Sequence, residues 1–106
     1  MFAQIVTTPL KTGTRLEYTK VVEECIIPLR RTHKGFLDLI CLVTSDGKTS
    51  FGISFWDSKE NAEAYGRSSL SEVMKALEPV VAGPAEVQLC EVTNSTAHKI
   101  AAAVAA

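Results

Sequence analysis

Four polar or aromatic side chains are candidates for binding a small molecule. Trp56 can stack on an aromatic ligand, and Tyr65, nine residues later, can donate a hydrogen bond to a ligand oxygen. His33 carries an imidazole, the side chain that most readily exchanges protons near neutral pH. Asp38 is a carboxylate in an otherwise apolar segment, where it needs a partner if it is buried. We predict a substrate-binding site from these four residues, and the sequence identifies no catalytic residue.

Each candidate also has a purely structural interpretation, which stays open. Trp56 can be wedged between a strand and a helix, and this interpretation is the favoured one. Tyr65 can lie on a helix with its hydroxyl at the surface. His33 can be an exposed residue at a helix end, which is again favoured, and Asp38 can lie at a sheet edge or rim. Two histidines and three cysteines are too scattered in the sequence to indicate a metal site, and no cofactor-binding motif is present.

The stretch from Phe51 to Tyr65 predicts how Trp56 is positioned. Phe51, Ile53 and Phe55 alternate with residues of the opposite face, which is the period-two pattern of a strand. Asp57 or Ser58 can cap the helix that follows, with Glu60 or Asn61 three residues later. Trp56 therefore stands where a strand passes into a helix.

The remaining pattern predicts an α+β fold. We expect a first helix that is capped by Thr14 and Glu17 and that Pro28 kinks or ends near Ile27, with Gly35 as a natural stop after it. A second helix is expected from Ser58 to its end at Gly66, and a third from Ser69 to Pro79. The expected strands are residues 2–7, 35–43, 49–56 and 86–92. This order is the split βαβ pattern of the ferredoxin-like fold, with a four-stranded antiparallel sheet. One domain spans residues 1–96, and residues 97–106 form an Ala-rich C-terminal tail.

The amino-acid composition indicates which classes of partner the chain can bind. The chain has 106 residues and a formal net charge of −1, with 11 basic and 12 acidic side chains. The densest basic cluster, residues 29–34, is expected to place its cations at the exposed C-terminal end of a helix, where the helix dipole favours them. We therefore expect no nucleic-acid binding.

Targeting and redox signals point to the cytoplasm. The start of the chain lacks the pattern of a signal peptide, and no apolar run is long enough to span a membrane. Cys25, Cys41 and Cys90 each lie in an apolar run, so we expect buried free thiols in a reducing compartment. These observations predict a cytoplasmic protein without a membrane partner.

The second predicted strand is apolar on both faces, whereas the helices can cover only one face of the sheet. An uncovered apolar face is unfavourable in water, and a second copy of the same sheet would cover it. We therefore expect a homodimer.

The chain resembles the dimeric α/β-barrel superfamily, and within it the antibiotic biosynthesis monooxygenase-like proteins. The resemblance covers nearly the whole chain except the tail. It rests on the Pro28-Leu-Arg helix end followed by Gly35-Phe36, on the Asp46-Gly47 hairpin, on the block from Ser54 to Ala62, and on Leu77-Glu-Pro-Val-Val81 with the closing strand.

The resemblance implies a homodimer whose two sheets form a barrel, with a pocket between sheet and helices in each subunit. In monooxygenase members, a phenolic substrate reacts with molecular oxygen without metal or flavin, once it is deprotonated. Haem-degrading members need an Asn on the first strand and a His on the second helical segment. Here residues 2–7 contain no Asn, and no His lies between Trp56 and Ala97. We expect either a cofactor-independent monooxygenase acting on a small aromatic or polyketide-like molecule, or a non-catalytic dimeric module that binds a small ligand.

Overall fold

A computed structural model describes residues 1–100 of the chain. Four strands form one sheet, and the helical segments lie on one of its faces. The strands are β1 (Phe2–Pro9), β2 (Phe36–Val43), β3 (Thr49–Trp56) and β4 (Glu86–Glu91). The helices are α1 (Arg15–Val21), α2 (Ile27–Arg31), α3 (Lys59–Ser68) and α4 (Leu70–Leu77), with a π-helical turn over Val22–Ile26 and a 3₁₀ turn over Glu78–Val80.

The strand order is β2-β3-β1-β4, and every neighbouring pair is antiparallel. Phe2 lies opposite Trp56 in the central pair and opposite Glu91 in the outer pair. The predicted α+β ferredoxin-like architecture with a four-stranded antiparallel sheet is therefore confirmed. Gly47, in the hairpin between β2 and β3, has a φ of +75°, a backbone conformation that glycine adopts without strain.

The first helical arm runs from Arg15 to Arg31 through a π-helical turn. The Ile27 N–H donates to the Val22 carbonyl, five residues earlier. Pro28 has no N–H to donate to the carbonyl of Glu24, so the regular α-helical ladder is interrupted at this point. Gly35 lies just beyond this arm with a φ of +82°, and a Cβ at this position would collide with Asp57 and Asn61. The predicted disturbance at Pro28 and stop at Gly35 are both present.

Two details of helix termini differ from expectation. The Thr14 hydroxyl donates to the Lys11 carbonyl instead of capping α1, so the Thr14–Glu17 capping box does not form. Helix α3 continues through Gly66 to Ser68, because the glycine lets the helix lie close to β1: a Cβ there would lie 3.3 Å from Nε2 of Gln4. The Ser58 cap is confirmed, since its hydroxyl accepts from the Asn61 N–H at 3.2 Å.

The two faces of the sheet differ in exposure. Side chains of β1 and β3 that face the helices are buried, namely Gln4, Val6, Thr8, Ser50, Ser54 and Trp56. The opposite face, here called the outer face, carries Ile5 and Ile53 at its centre and Ile40 and Leu42 on β2. Ile40 is 45% and Leu42 48% exposed. The outer face is therefore apolar and still partly exposed within residues 1–100, although Ala3 on this face is buried and the His98 ring lies 6.1 Å from that of Phe55.

The cysteine expectation was wrong for two of three residues. Cys25 and Cys90 are exposed, because they lie on the solvent side of the π-helical turn and on the outermost strand, and only Cys41 is partly buried. The domain boundary at residue 96 stays a prediction. Of the predicted 97–106 tail, residues 101–106 lie outside the described residues.

Candidate functional site

Arg30 is a cation buried between the helices and the sheet. It is 2% exposed, and it continues the buried residues Tyr18, Val22 and Ile26, each four positions apart. Its Nε donates to the hydroxyl of Tyr65 at 2.8 Å, and its guanidinium carbon lies 4.8 Å from the centre of the Tyr65 ring. The first helical arm and α3 are thus joined through one buried side chain.

The charge of Arg30 is not neutralised within the described chain. Among residues 1–100, no carboxylate is within ion-pair distance of Arg30, and its Nη1 has no hydrogen-bond partner. Moving a charged group from water into the protein interior costs several kcal/mol per ion, even after the protein relaxes around it. A buried, unpaired guanidinium N–H is therefore a place where an anionic or oxygen-rich ligand would be stabilised.

A cavity of about 20 Å³ adjoins this guanidinium, a volume that accommodates roughly one water molecule. It lies between the helical arm, α4 and the sheet. Its polar lining residues are Thr8, Tyr18, Arg30, Cys41 and Ser50, and its apolar ones are Val6, Ile26, Gly52, Val73 and Leu77. The cavity therefore combines a mostly apolar wall with hydroxyl, thiol and guanidinium groups.

The other titratable groups that line this cavity are neutral at pH 7. Burial raises the pKa of Tyr18 to about 12, with the nearby Cys41 adding to the shift and a hydrogen bond with Ser50 opposing it. Burial also raises the pKa of the Cys41 thiol. Since both groups keep their protons, Arg30 alone gives the cavity a charge, and that charge is positive.

Three of the four predicted site residues meet in one aromatic cluster beside Arg30. The ring centres of Trp56 and Tyr65 are 5.1 Å apart, and those of His33 and Tyr65 are 4.9 Å apart in an edge-on arrangement. Phe36 packs edge-on against Trp56 at 5.6 Å. Trp56 and Tyr65 are fully buried, so the cluster fills the interior between β3 and α3.

Polar atoms of the cluster are satisfied within the protein. The indole N–H of Trp56 donates to the Ser54 hydroxyl at 2.9 Å, and Nε2 of His33 lies 2.8 Å from the Ser69 hydroxyl. Burial raises the pKa of Tyr65, an effect that the charge of Arg30 and its hydrogen bond oppose. None of Trp56, Tyr65 and His33 lines the cavity beside Arg30.

The architecture is shared with solved bacterial proteins. One from Nitrosomonas europaea, described as a candidate antibiotic biosynthesis monooxygenase, superimposes with a TM-score of 0.72 and 12% identity over 89% of this chain and 100% of that chain. A Streptomyces coelicolor monooxygenase, solved with nanaomycin D, gives a TM-score of 0.71 and 23% identity over 89% and 88%. A second Nitrosomonas europaea protein, of unknown function, gives 0.73 and 14% identity over 95% and 94%.

The chain has the antibiotic biosynthesis monooxygenase-like fold. No protein-family model and no curated protein matches the sequence. At identities of 12–23%, the shared feature is the arrangement of strands and helices.

Asp38 lies apart from the other predicted site residues of this monooxygenase-like fold. It follows an irregularity in β2, and its Oδ1 accepts from the Leu39 N–H at 2.8 Å. Its Oδ2 lies 3.6 Å from Nε2 of His98, and the His98 ring lies 6.1 Å from that of Phe55. Asp38 is thus placed on the outer face, where it holds the segment after β4, and not beside Arg30.

Arg30 was missed by sequence reasoning because it was grouped with the exposed cations at the helix end. Its neighbour Arg31 is exposed as expected, but Arg30 faces the core. The available signal was its position four residues after Ile26, which continues the apolar stripe of the same arm. A cation on an apolar stripe marks either a snorkelling side chain or a buried site.

Among the described residues, no helix combines the length and the apolar character needed to cross a bilayer. Within the same part of the chain, no group of three or more His, Cys, Asp or Glu side chains is placed to hold a metal ion.

Proposed function

We propose that this chain is a cofactor-independent monooxygenase-like protein that binds a small aromatic or polyketide-like molecule as an anion. The observation that carries the proposal is the buried guanidinium of Arg30, whose Nη1 has no partner among residues 1–100 and whose side chain lines a mostly apolar cavity. A phenolate or carboxylate oxygen would neutralise this charge. The likeness in fold to a monooxygenase solved with nanaomycin D supports the same reading.

A buried cation would also favour the reactive form of such a substrate. A phenol beside a guanidinium loses its proton more readily, because the charge stabilises the phenolate. The electron-rich phenolate can then transfer electrons to molecular oxygen, so the substrate is the reductant and oxygen is the oxidant. For a simple phenol, a ring hydrogen and the hydroxyl hydrogen leave with one oxygen atom as water, while the other oxygen atom becomes the second carbonyl of a quinone.

The roles of the protein residues in this proposal are binding and exclusion of water. Arg30 holds the anion. The apolar residues that line the cavity, such as Val6 and Leu77, keep water away from the reduced oxygen species. Tyr65 acts indirectly, since it packs against Arg30 and accepts its hydrogen bond, and Trp56 in turn packs against Tyr65. Tyr18 and Cys41 are neutral and can donate hydrogen bonds to the ligand.

A non-catalytic, ligand-binding module is the second candidate function. It is favoured by one specific observation: among residues 1–100, no side chain that lines the cavity of Arg30 is a base at neutral pH, because both Tyr18 and Cys41 retain their protons. A substrate would therefore have to arrive already ionised, or ionise by losing its proton to water. A protein that only binds its ligand needs no protein group that removes a proton from it.

Oxygen consumption with a panel of dihydroxyaromatic compounds distinguishes the two candidates. We expect uptake with at least one compound, and loss of its binding by about 30-fold or more in Arg30→Gln, since a buried charge pair is worth at least about 2 kcal/mol. Arg31→Gln, an exposed neighbour, is the matched control and should bind as the wild type does. If binding depends on Arg30 but no compound causes oxygen uptake, the ligand-binding module is favoured. If Arg30→Gln leaves binding unchanged, the proposed site is refuted.

We also propose that the protein is a homodimer. The support is the outer face, whose Ile40 and Leu42 are about half exposed in the single chain. A second copy would remove this apolar surface from water.

A further inference from the structure

A groove of about 270 Å³ lies directly beside the cavity of Arg30, between the first helical arm and β2. Tyr18 and Cys41 line both spaces. The remaining groove residues are Thr19, Val22, Glu23, Ile27, Leu39 and Val43. The two side chains that belong to both spaces therefore form the wall between them, and this wall is here called the Tyr18–Cys41 partition.

The cavity is too small for any aromatic molecule. Its volume of about 20 Å³ accepts an atom or two at the guanidinium, and the body of a ligand must occupy other space. The aromatic cluster offers none, since Trp56 and Tyr65 are fully buried. Two larger spaces share lining residues with the cavity. A pocket of about 260 Å³ shares the apolar Ile26 and Val73, whereas the groove, which opens toward solvent, shares Tyr18 and Cys41, whose polar groups can contact a ligand.

The partition is flanked by the least regular part of the helical arm. Val22 and Ile27, at the two ends of the π-helical turn, line the groove, while Ile26 lines the cavity. Irregular π-turns within helices are frequent at functional sites. A small change in this turn would move side chains on both sides of the partition together.

Charged side chains near the groove would determine which end of a ligand enters first. Strand β2 contributes the apolar Leu39 and Val43, whereas the helical arm also contributes polar side chains, among them Glu23, the acidic residue in the described lining. An anionic group would be repelled by Glu23 and attracted by Arg30. A ligand would therefore enter with its anionic end first and leave a neutral body in the groove.

We propose that the ligand of this site spans both spaces: its single anionic group contacts Arg30, and its flat, neutral, apolar body passes the Tyr18–Cys41 partition and lies in the groove. Cys41 is then a specificity-determining residue that the bound ligand covers. This inference rests on the proposed function, and it adds the class of molecule, namely an elongated aromatic mono-anion, together with the route by which it enters.

The experiment uses the thiol of Cys41 as a reporter in the full-length chain. Cys25 and Cys90 are both exposed, so Cys25→Ser/Cys90→Ser leaves Cys41 as the single thiol. A maleimide then labels Cys41 at a measurable rate, with and without 1-hydroxy-2-naphthoate, a flat two-ring hydroxy acid. Binding of the same compound is measured separately by calorimetry. A further Cys41→Ser change gives the background rate.

We expect labelling to slow about tenfold at a ligand concentration about ten times Kd, because a covered thiol reacts only in the free protein. The protection should disappear when Arg30→Gln is added, while the protein remains folded by circular dichroism. Arg31→Gln in the same background should keep the protection.

The outcomes separate this inference from the proposed function. Binding that depends on Arg30 but leaves the labelling rate of Cys41 unchanged would overturn the two-space ligand alone. Protection that survives Arg30→Gln would overturn the anionic anchor, and with it the proposed function. Failure of the naphthoate to bind would count against both, since it carries the anion and the flat body that each requires.

Discussion

Nε of Arg30 donates a 2.8 Å hydrogen bond to the hydroxyl of Tyr65, thirty-five positions later in the chain. Both side chains are buried, and this contact is the one that fixes how the guanidinium is turned. Nε is used by Tyr65, Nη1 has no partner among residues 1–100, and the Arg30 side chain lines the cavity. The guanidinium of Arg30 thus makes a structural hydrogen bond to Tyr65 and also carries an N–H donor that has no partner among residues 1–100.

Tyr65→Phe should destabilise the protein by about 1–3 kcal/mol, because the buried guanidinium loses its hydrogen-bond acceptor while its charge remains. Urea unfolding monitored by circular dichroism measures the change. The substitution keeps the ring, so the packing against Trp56 and the contact of Arg30 with the ring face are retained. A loss within experimental error would mean that the Arg30–Tyr65 hydrogen bond contributes nothing in solution.

Arg30→Met/Tyr65→Phe should be at least as stable as Tyr65→Phe alone, and close to the wild type. The double change removes the buried charge and its acceptor together and leaves an apolar contact, which is often neutral or stabilising. Ligand binding should be lost in the same protein. If Arg30 were present for stability alone, the double variant would be the least stable of the set, and a urea series on both variants decides between these outcomes.

Trp56→Phe should lower the free energy of unfolding by about 2 kcal/mol, from the lost indole volume and from the Ser54 hydroxyl that loses its donor. Ser54→Ala isolates the hydrogen-bond part of this loss. Since Trp56 does not line the cavity beside Arg30, the affinity for a bound naphthoate should stay within a few-fold of wild type. A large loss of affinity with unchanged stability would instead make Trp56 a ligand contact.

The sequence predicted the strands and their order well, because period-two alternation and turn residues are local signals. The 49–56 strand and its Ser58 helix cap are present where they were expected. The end of α3 was missed, because Gly66 disfavours a helix locally but permits close contact with Gln4 across the fold. The low helix propensity of glycine can be read from the sequence alone, whereas the close contact of Gly66 with Gln4 cannot.

Charge patterning misled the prediction of the site for a similar reason. Arg30 and Arg31 are identical residues in a basic cluster, yet one is buried and the other exposed. Which of them faces the core depends on the rotation of the helical arm, and the π-helical turn before Pro28 changes that rotation. The contact between Trp56 and Tyr65 agrees with the predicted strand-to-helix joint, whereas the packing of His33 against Tyr65 was not predicted. Asp38 lies on the outer face, opposite Phe55.

Alkaline pH should destabilise the protein. The folded pKa of Tyr18 is about 12 against an ordinary value near 10, so the folded state holds this proton more tightly than the unfolded state does. The associated stability is fully present below pH 10 and is lost as the pH rises toward 12, by on the order of 2 kcal/mol. Urea unfolding between pH 8 and about 12 measures the loss.

Tyr18→Phe is the control for this effect and should lose less stability over the same interval. Tyr65, the other tyrosine, also has a raised pKa, so phenolate absorbance should show neither tyrosine titrating at its ordinary value. A tyrosine that ionises near pH 10 in the folded protein would contradict the burial that both side chains show.

The proposed dimer predicts a molecular mass in light scattering of twice the chain's 11.5 kDa. Ile40→Asp, on the outer face, should convert the dimer to a monomer, because a carboxylate would be buried in an apolar contact. Leu16→Asp is the matched control: Leu16 lies on α1, away from the sheet, and is 83% exposed, so the change should leave the mass unaltered. A wild-type monomer at micromolar concentration, or a dimer that survives Ile40→Asp but not Leu16→Asp, would place the contact elsewhere than on the outer face.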